Sequence, residues 1–561
     1  MLKSISLCAR LAICLAIFTV QPGSIFGQTS DPPPADPKAA LIQELEAMKK
    51  RIEQLEAQLR KMQDESAAAP KLVSVSVPAT PQPASSAVAA TTQPASFPAT
   101  QPASTPAVAA PQNVASIEQA APQTPPQTTP PASQQAEPAK PAEPFAFGDW
   151  TWLTGNARTT ESPMDTKFFT PEIRADVDYV YDYNHPADHT IGGSSEVFRA
   201  GEVQLTQLGV GGDFHWENVR ARLMTQFGMY SETTPRNDAS PALGAWDLDT
   251  AYRYISEAYG GYHFDALHGI NVDAGIFMSY VGLFSYYQFD NWAYQPSYVS
   301  SNTPWFFNGV RVQIFPTDKL KIEPWFVNGW QSYGKYDKSP GLGLQILYRP
   351  NKWLSVLGNQ YEGTDTLGVP GRHRVHTDDS IQIKYYDNPR HLIDKAAMTV
   401  TADAGCEFGQ NSGVSCHNGT AAKPSQYFLG FMTYQRVWFH HDLFGFTVGG
   451  GAINNPGRYL VLLPPIDGAT AITGTPYFTE NPGDPYKAWD ASATFDYMPK
   501  QYITWRFEYN HRASNVPYFT GPGGITPPGG DNGSPGSLIP GWTPDLVKRE
   551  NRLIIALLVK F

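Results

Sequence analysis

Residues 145–561 alternate between apolar and polar side chains in runs of about ten residues. In the run 172–183, the odd positions are Ile, Ala, Val and Tyr, and the even positions are mostly Glu, Arg and Asp. The runs 310–314, 380–385 and 502–512 repeat this pattern. Successive side chains of a β-strand point to opposite faces, so each run predicts a strand with one apolar and one polar face.

A soluble β-sandwich shows similar alternation, with its apolar faces turned inward. Here the apolar faces are rich in Tyr and Trp, which membrane interfaces favour, and the polar faces carry both signs of charge. The chain ends in an alternating apolar run that closes on Phe561, and such a run is an aggregation hazard in a soluble protein. The pattern therefore predicts an all-β fold, a transmembrane antiparallel β-barrel, with Phe561 as the signal for its assembly.

The number of strands follows from short turns between the runs. Seven turns divide the barrel into eight segments, and each segment holds two strand-like runs and one longer loop, which gives about 16 strands, with 14 or 18 as alternatives. An even number places both chain ends of the barrel segment on the periplasmic side, and long Gly/Pro-rich connections such as 453–486 and 513–548 then face outward. Trp150–Leu153 is left over as a lead-in segment. The turns are Glu217-Asn218, Leu267-His268, Thr317-Asp318, Asn351-Lys352, Asn388-Pro389, His440-His441 and Pro499-Lys500.

The chain begins with the features of an export signal. Residues 1–27 contain two basic residues, Lys3 and Arg10, followed by an apolar core that is too short to span a bilayer. A buried N-terminal helix is the alternative. Residues 38–64 repeat apolar side chains every 3.5 positions and predict a coiled coil of about four heptads, or otherwise one amphipathic helix lying on a surface.

Composition separates these segments from the barrel. Residues 66–144 are dominated by Ala, Pro, Ser, Thr and Gln, so we expect a disordered, extended linker with a reach of roughly 200 Å. The net charge of −11 argues against nucleic acid as a partner. Cys406 and Cys416 lie in a Gly/Asn/Ser-rich stretch and predict a loop disulfide in an oxidising compartment, with two free thiols as the alternative.

Two segments of the barrel resemble the putative beta-barrel porin-2 family. They are residues 305–330, WFFNGVRVQIFPTDKLKIEPWFVNGW, and residues 377–386, TDDSIQIKYY. The resemblance covers essentially 145–561 and implies an outer-membrane porin-like barrel in a Gram-negative-type envelope. It implies no catalytic residues and no particular substrate.

A water-filled pore needs a lining that replaces part of the hydration of a solute. Charged residues on the polar faces are the candidates for this lining, although they would form ion pairs if the barrel were closed and filled. The aromatic-rich segment 284–305 either folds into the lumen or packs with other loops above the rim. The lining candidates are Arg174, Asp176, Asp178, Arg220, Arg222, Arg253, Glu257, Arg311, Lys321, Glu323, Lys384, Arg506, Glu508 and Arg512.

The sequence contains none of the common hydrolase, zinc-protease or phosphate-loop motifs, so we expect no enzyme, cofactor or metal. The favoured function is a channel for passive diffusion of small hydrophilic solutes. The alternatives are a structural anchor with a coiled-coil tether or adhesive stalk, and a barrel-embedded hydrolase. The expected partners are outer-membrane lipid, the barrel assembly machinery, small solutes and further copies of the chain in a trimer.

Overall fold

The computed structural model describes residues 49–50, 142–192, 196–235, 238, 240, 246–335, 339–364, 371–409, 412–420, 422–456, 486–526 and 545–561. The chain divides into two compact units, 1–128 and 129–561. In the first unit only Lys49 and Lys50 are described, and both are helical. The predicted signal peptide, the rest of the coiled coil and all but the last three residues of the linker lie outside the described residues.

Sixteen strands of the second unit form a closed antiparallel barrel, as the turn count predicted. Strand β1 closes the barrel by pairing with both β2 and β18. The barrel strands are β1 (Phe169–Asp182), β2 (Val203–Trp216), β3 (Val219–Thr225), β4 (Ile255–Phe264), β5 (Ile270–Met278), β6 (Phe306–Thr317), β7 (Leu320–Val327), β8 (Gly341–Asn351), β9 (Leu354–Gly363), β10 (His373–Asp387), β11 (Ile393–Phe408), β12 (Tyr427–Phe439), β13 (Phe444–Asn455), β14 (Tyr486–Lys500), β15 (Ile503–Ser514) and β18 (Arg549–Lys560).

The remaining elements are short and lie in the connections. They are helices α1 (Tyr230–Thr233), α2 (Leu248–Tyr252) and α3 (Tyr298–Ser301), the 3₁₀ turns Thr151–Leu153 and Gln288–Asp290, and strands β16 (Phe519–Thr520) and β17 (Leu546–Val547). The two short strands pair with each other. No helix in the described ranges is long and apolar enough to cross a bilayer.

Six of the seven predicted turns connect neighbouring barrel strands, and they lie at one end of the barrel, the turn end. The seventh prediction, Pro499-Lys500, is displaced, because these residues end β14 and the turn to β15 is at Gln501-Tyr502. The other connections are longer and lie at the opposite end, the loop end. At the turn between β12 and β13, His440, His441 and Asp442 have φ values of 56°, 57° and 59°. Such left-handed backbone is uncommon for residues other than glycine, and here it reverses the chain within a few residues.

On most barrel strands the apolar face points outward and the polar face points into the barrel. On β15, Trp505 is 39% exposed, whereas its neighbour Arg506 is fully buried. The exposed apolar wall is the surface that a bilayer requires. The apolar positions predicted for β1, β6, β10 and β15 therefore lie on the outer, lipid-facing surface of the barrel, as expected.

Strand β18 departs from this pattern in its middle section, where the inward positions are apolar as well. Ile554, Ala556 and Leu558 point inward and are buried against Phe289 and Tyr294 of the β5–β6 connection. The terminal residue Phe561 is anchored by two backbone hydrogen bonds with Ile173 and stacks on Tyr502. Its role in assembly stays a prediction.

Candidate functional site

The N-terminal segment 142–160, which we call the strap, crosses the turn end of the barrel. At its start, the Ala142 carbonyl contacts the ring of His268, and the Phe145 N–H donates to the carbonyl of Asp318. Near its end, Arg158 donates to the carbonyl of Met498 at 2.6 Å. The strap therefore reaches from the β4–β5 and β6–β7 turns to the end of β14, and the lead-in segment Trp150–Leu153 lies within it.

Aromatic burial and one hydrogen-bonded turn hold the strap in place. Trp152 is fully buried in a cluster with Trp292, Trp438 and Met498. Asp149 accepts hydrogen bonds from the backbone and hydroxyl of Thr151 at 2.9 and 2.8 Å. Burial by itself raises the pKa of Asp149, but these hydrogen bonds outweigh it and hold the pKa below the ordinary aspartate value.

The β5–β6 connection folds into the barrel from the loop end. The ring of Trp292 meets that of Trp438 on the inner wall, with ring centroids 5.4 Å apart. The hydroxyl of Tyr294 donates to Asp176 at 2.9 Å and to Asp178 at 3.2 Å. The aromatic-rich segment thus occupies the lumen rather than packing only above the rim.

Buried arginines join the strap and this connection to the barrel wall. Arg506 donates to the carbonyls of Gln288 and Asn291 and pairs with Asp496 at 2.7 Å. Arg436 pairs with the same aspartate at 2.7 Å and donates to the carbonyl of Gly155 at 2.8 Å. These side chains of β12, β14 and β15 are fully buried, so this side of the interior is filled.

A second set of charges lines β1 to β4. Arg222 is its centre, because it pairs with Glu172 at 3.1 Å, with Asp213 at 2.8 Å and with Glu257. Arg174 also pairs with Glu172, and it pairs with Asp290 of the β5–β6 connection at 2.8 Å. Lys560 of β18 reaches the same Asp290 at 3.2 Å.

The charges continue along β5 to β8. Asp273 holds both Arg220, at 3.2 Å, and Arg311, at 3.0 Å. Lys321 pairs with Glu323 and contacts Gln345 at 2.6 Å. The side chains of Asp213 and Arg220 are 47% and 30% exposed, so this wall keeps contact with solvent. The charged wall is our name for these ion-paired residues, which are Glu172, Arg174, Asp213, Arg220, Arg222, Glu257, Asp273, Arg311, Lys321 and Glu323, together with Asp290 and Lys560.

All but one of the predicted lining residues face the interior, but they divide into two groups. Arg174, Arg220, Arg222, Glu257, Arg311, Lys321 and Glu323 belong to the charged wall. The others are buried: Asp176 and Asp178 of β1 contact Tyr294 of the β5–β6 connection, and the rest, on β10 and β15, are Lys384, Arg506, Glu508 and Arg512. The exception is Arg253, which contradicts the prediction because it lies on no strand: it follows α2 in the β3–β4 connection and pairs with Glu232 of α1.

The sequence prediction missed charges that complete both groups. Asp213 and Asp273 lie at inward positions of Gly-containing strands, where the alternation is hard to recognise. Asp290 lies in a connection and has no strand pattern to reveal it. The only sequence feature that could have identified Arg436 is its inward position on a strand, because its partners come from distant parts of the chain.

The inner wall also holds an acidic pair. Asp378 of β10 stands directly opposite Asp403 of β11, and His376 lies 2.7 Å from Asp403. All three are buried. Among the described residues, no group of three or more His, Cys, Asp or Glu is arranged to hold a metal ion.

The disulfide candidates lie away from this interior. Cys406 and Cys416 form a disulfide that ties the end of β11 to the following connection.

Comparisons with known proteins give one family and several structures. The family model described as "Putative beta-barrel porin-2, OmpL-like" matches residues 174–532. No curated relative matches the chain. Similar solved structures include the outer membrane channel DcaP of Acinetobacter baumannii, at 13% identity and a TM-score of 0.38, covering 70% of this chain and 96% of that one. OprD from Pseudomonas aeruginosa has 10% identity and a TM-score of 0.33, covering 72% and 97%.

Proposed function

The chain belongs to the putative beta-barrel porin-2, OmpL-like family, and from this premise we propose that it is an outer-membrane channel for passive diffusion of small hydrophilic solutes. The observation that carries the proposal is the charged wall. It extends over β1–β8, combines both signs of charge and keeps Asp213 and Arg220 partly exposed. Fixed charges of both signs replace part of the hydration of a polar solute.

The two sides of the interior define the proposed path. The filled side is closed by fully buried ion pairs, whereas the charged wall keeps contact with solvent. Solutes therefore pass along β1–β8 and not beside β12–β15. Asp290 narrows this path, because it reaches from the β5–β6 connection to Arg174 and Lys560.

Planar-bilayer conductance of the purified mature protein tests the channel. We expect stepwise ohmic conductance, and we expect Asp213→Asn to shift the reversal potential in a salt gradient toward anion preference, whereas Arg220→Gln shifts it toward cation preference. Each change removes one exposed charge from the path. Lys487→Gln, on the outward face of β14, is the matched control and should leave the reversal potential unchanged.

The absence of conductance from correctly folded barrels would contradict the channel and favour the structural anchor. The filled side is the specific observation in favour of that alternative, because the strap and the β5–β6 connection already occupy part of the interior. In the anchor, the predicted coiled coil 38–64 serves as a tether on the periplasmic side.

The oligomeric state is a separate part of the proposal. After export by residues 1–27 and insertion by the barrel assembly machinery, three chains associate, with the coiled coil 38–64 as a clamp. Chemical crosslinking in native membranes should give trimers for the full mature chain and fewer trimers without 38–64. Monomers in both preparations would remove the trimer from the proposal.

A further inference from the structure

A cavity of about 840 Å³ lies on the outer wall of the barrel near its loop end. Its floor includes one row of register partners across five strands, Leu342, Glu362, Val375, Cys406 and Tyr427. Directly paired residues share a face of the sheet. Leu342 is 53% exposed, so this row points outward. We call this cavity the outer groove.

The disulfide holds a loop over the groove. Glu407 points into the barrel, where it pairs with Arg374 at 3.2 Å, so the preceding Cys406 points outward. Its bond to Cys416 therefore holds the β11–β12 connection against the outside of the wall. Cys416, His417, Asn418 and Ser425 of that connection line the groove opposite the strands.

A second cavity of about 590 Å³ adjoins the groove, because Cys416 and His417 line both. This cavity carries basic groups, since His373, His417 and Lys423 line it. Lys423 is held in place by a hydrogen bond from its Nζ to the carbonyl of Gly409 at 2.9 Å. Basic pockets at membrane depth favour anionic head groups.

The lining of the outer groove is mostly apolar but includes a few polar side chains. Leu342, Leu344, Val375, Ala404 and Leu429 supply the apolar surface. Gln360, Glu362 and Thr377 interrupt it. A charged side chain on a lipid-facing wall is unfavourable at membrane depth. A ligand with hydroxyl or amide donors next to its acyl chain would satisfy these acceptors.

We propose that the outer groove and the adjoining basic cavity together bind one phosphorylated glycolipid of the outer leaflet. One acyl chain lies along Leu342, Leu344 and Ala404. The hydroxyls of its sugar donate to Gln360 and Glu362, and its phosphate lies beside Lys423 and His417. The site depends on the position of the barrel in the outer membrane and not on whether the barrel conducts.

Native mass spectrometry of the mature protein in detergent, titrated with purified diphosphorylated lipid A, tests this site. We expect one retained lipid per chain. Ala404→Trp fills the groove and should lower its occupancy at least about tenfold, because the acyl chain loses its apolar contacts. Lys423→Gln removes a charge-assisted contact with the phosphate and should weaken binding by about tenfold.

Two matched variants separate the site from general lipid adhesion. Ala491→Trp places the same ring on the outward face of β14, and Lys487→Gln removes a lysine from that face. Both should retain the lipid. Equal lipid occupancy in Ala404→Trp and Ala491→Trp would overturn the proposal. So would a change of subunit number in Ala404→Trp without a loss of lipid, because the groove would then be an interface between copies of the chain.

Discussion

At the scale of single residues, loop carboxylates tie separate connections together at the loop end. Asp188 of the β1–β2 connection accepts backbone hydrogen bonds from Ile525 at 2.9 Å and Thr526 at 2.7 Å, both in the β15–β18 connection. It also accepts one from Thr190 at 3.0 Å. Burial raises the pKa of Asp188, but the hydrogen bonds from Thr526, Thr190 and Ile525 hold it below the ordinary aspartate value.

The lowered pKa predicts acid-sensitive packing of these loops. Because the pKa of Asp188 is lower in the folded loops than in the unfolded chain, its ionised carboxylate stabilises the folded loops at any pH above the ordinary aspartate pKa of about 3.9. This stabilisation is lost as the pH falls through the pKa of the folded state. Hydrogen exchange of the peptide around 517–526, corrected for intrinsic rates, should therefore show protection at pH 6 that decreases below about pH 4. Asp188→Asn should show lower protection with no such pH dependence. Protection that falls equally in both proteins would contradict this role.

At the scale of elements, the strap is positioned by close backbone approach. A Cβ on Gly155 would lie 2.4 Å from the carbonyl oxygens of Phe289 and Asn291. Only glycine therefore lets the strap meet the β5–β6 connection, where the Gly155 N–H also donates to the carbonyl of Asp290 at 2.9 Å. Two segments that enter from opposite ends of the barrel are fixed to each other at this point.

Gly155→Leu should displace the strap without disrupting the strand pairing that closes the barrel. We expect a loss of about 1–3 kcal/mol in stability, the usual effect of overpacking, and a larger single-channel conductance. Heat-modifiable mobility in gels and planar-bilayer recordings measure the two effects. Gly260→Leu is the control, because a Cβ at Gly260 meets no atom within 4 Å. Unchanged conductance in folded Gly155→Leu barrels would show that the strap does not restrict the path.

At the scale of the whole molecule, the buried charges that stabilise the barrel lie apart from the partly exposed charges that we propose line the solute path. Asp496 holds two arginines, Arg436 and Arg506, and all three side chains are fully buried. The charged wall on the other side keeps Asp213 and Arg220 partly exposed. Removing one partner of a buried ion pair leaves an uncompensated charge, whereas an exposed pair contributes little to stability.

Asp496→Asn should therefore destabilise the barrel by about 3–5 kcal/mol, because Arg436 and Arg506 lose their common counter-ion. Asp213→Asn, which also removes one carboxylate charge, should change stability by less than about 1 kcal/mol. Urea unfolding in detergent or lipid vesicles measures both. Equal destabilisation by the two variants would contradict the division of the interior.

The sequence by itself predicted about sixteen strands, the outward faces of β1, β6, β10 and β15 and six of the seven turns, since alternation and tight turns depend on neighbouring residues. It did not separate Arg506, which is buried, from Arg222, which belongs to the charged wall, although both occupy inward positions. That difference comes from the strap and the β5–β6 connection. Gly155 and Arg436, for example, are 281 residues apart in the chain. Only the tertiary structure brings such segments together, because their packing depends on shape and hydrogen bonding inside the closed barrel.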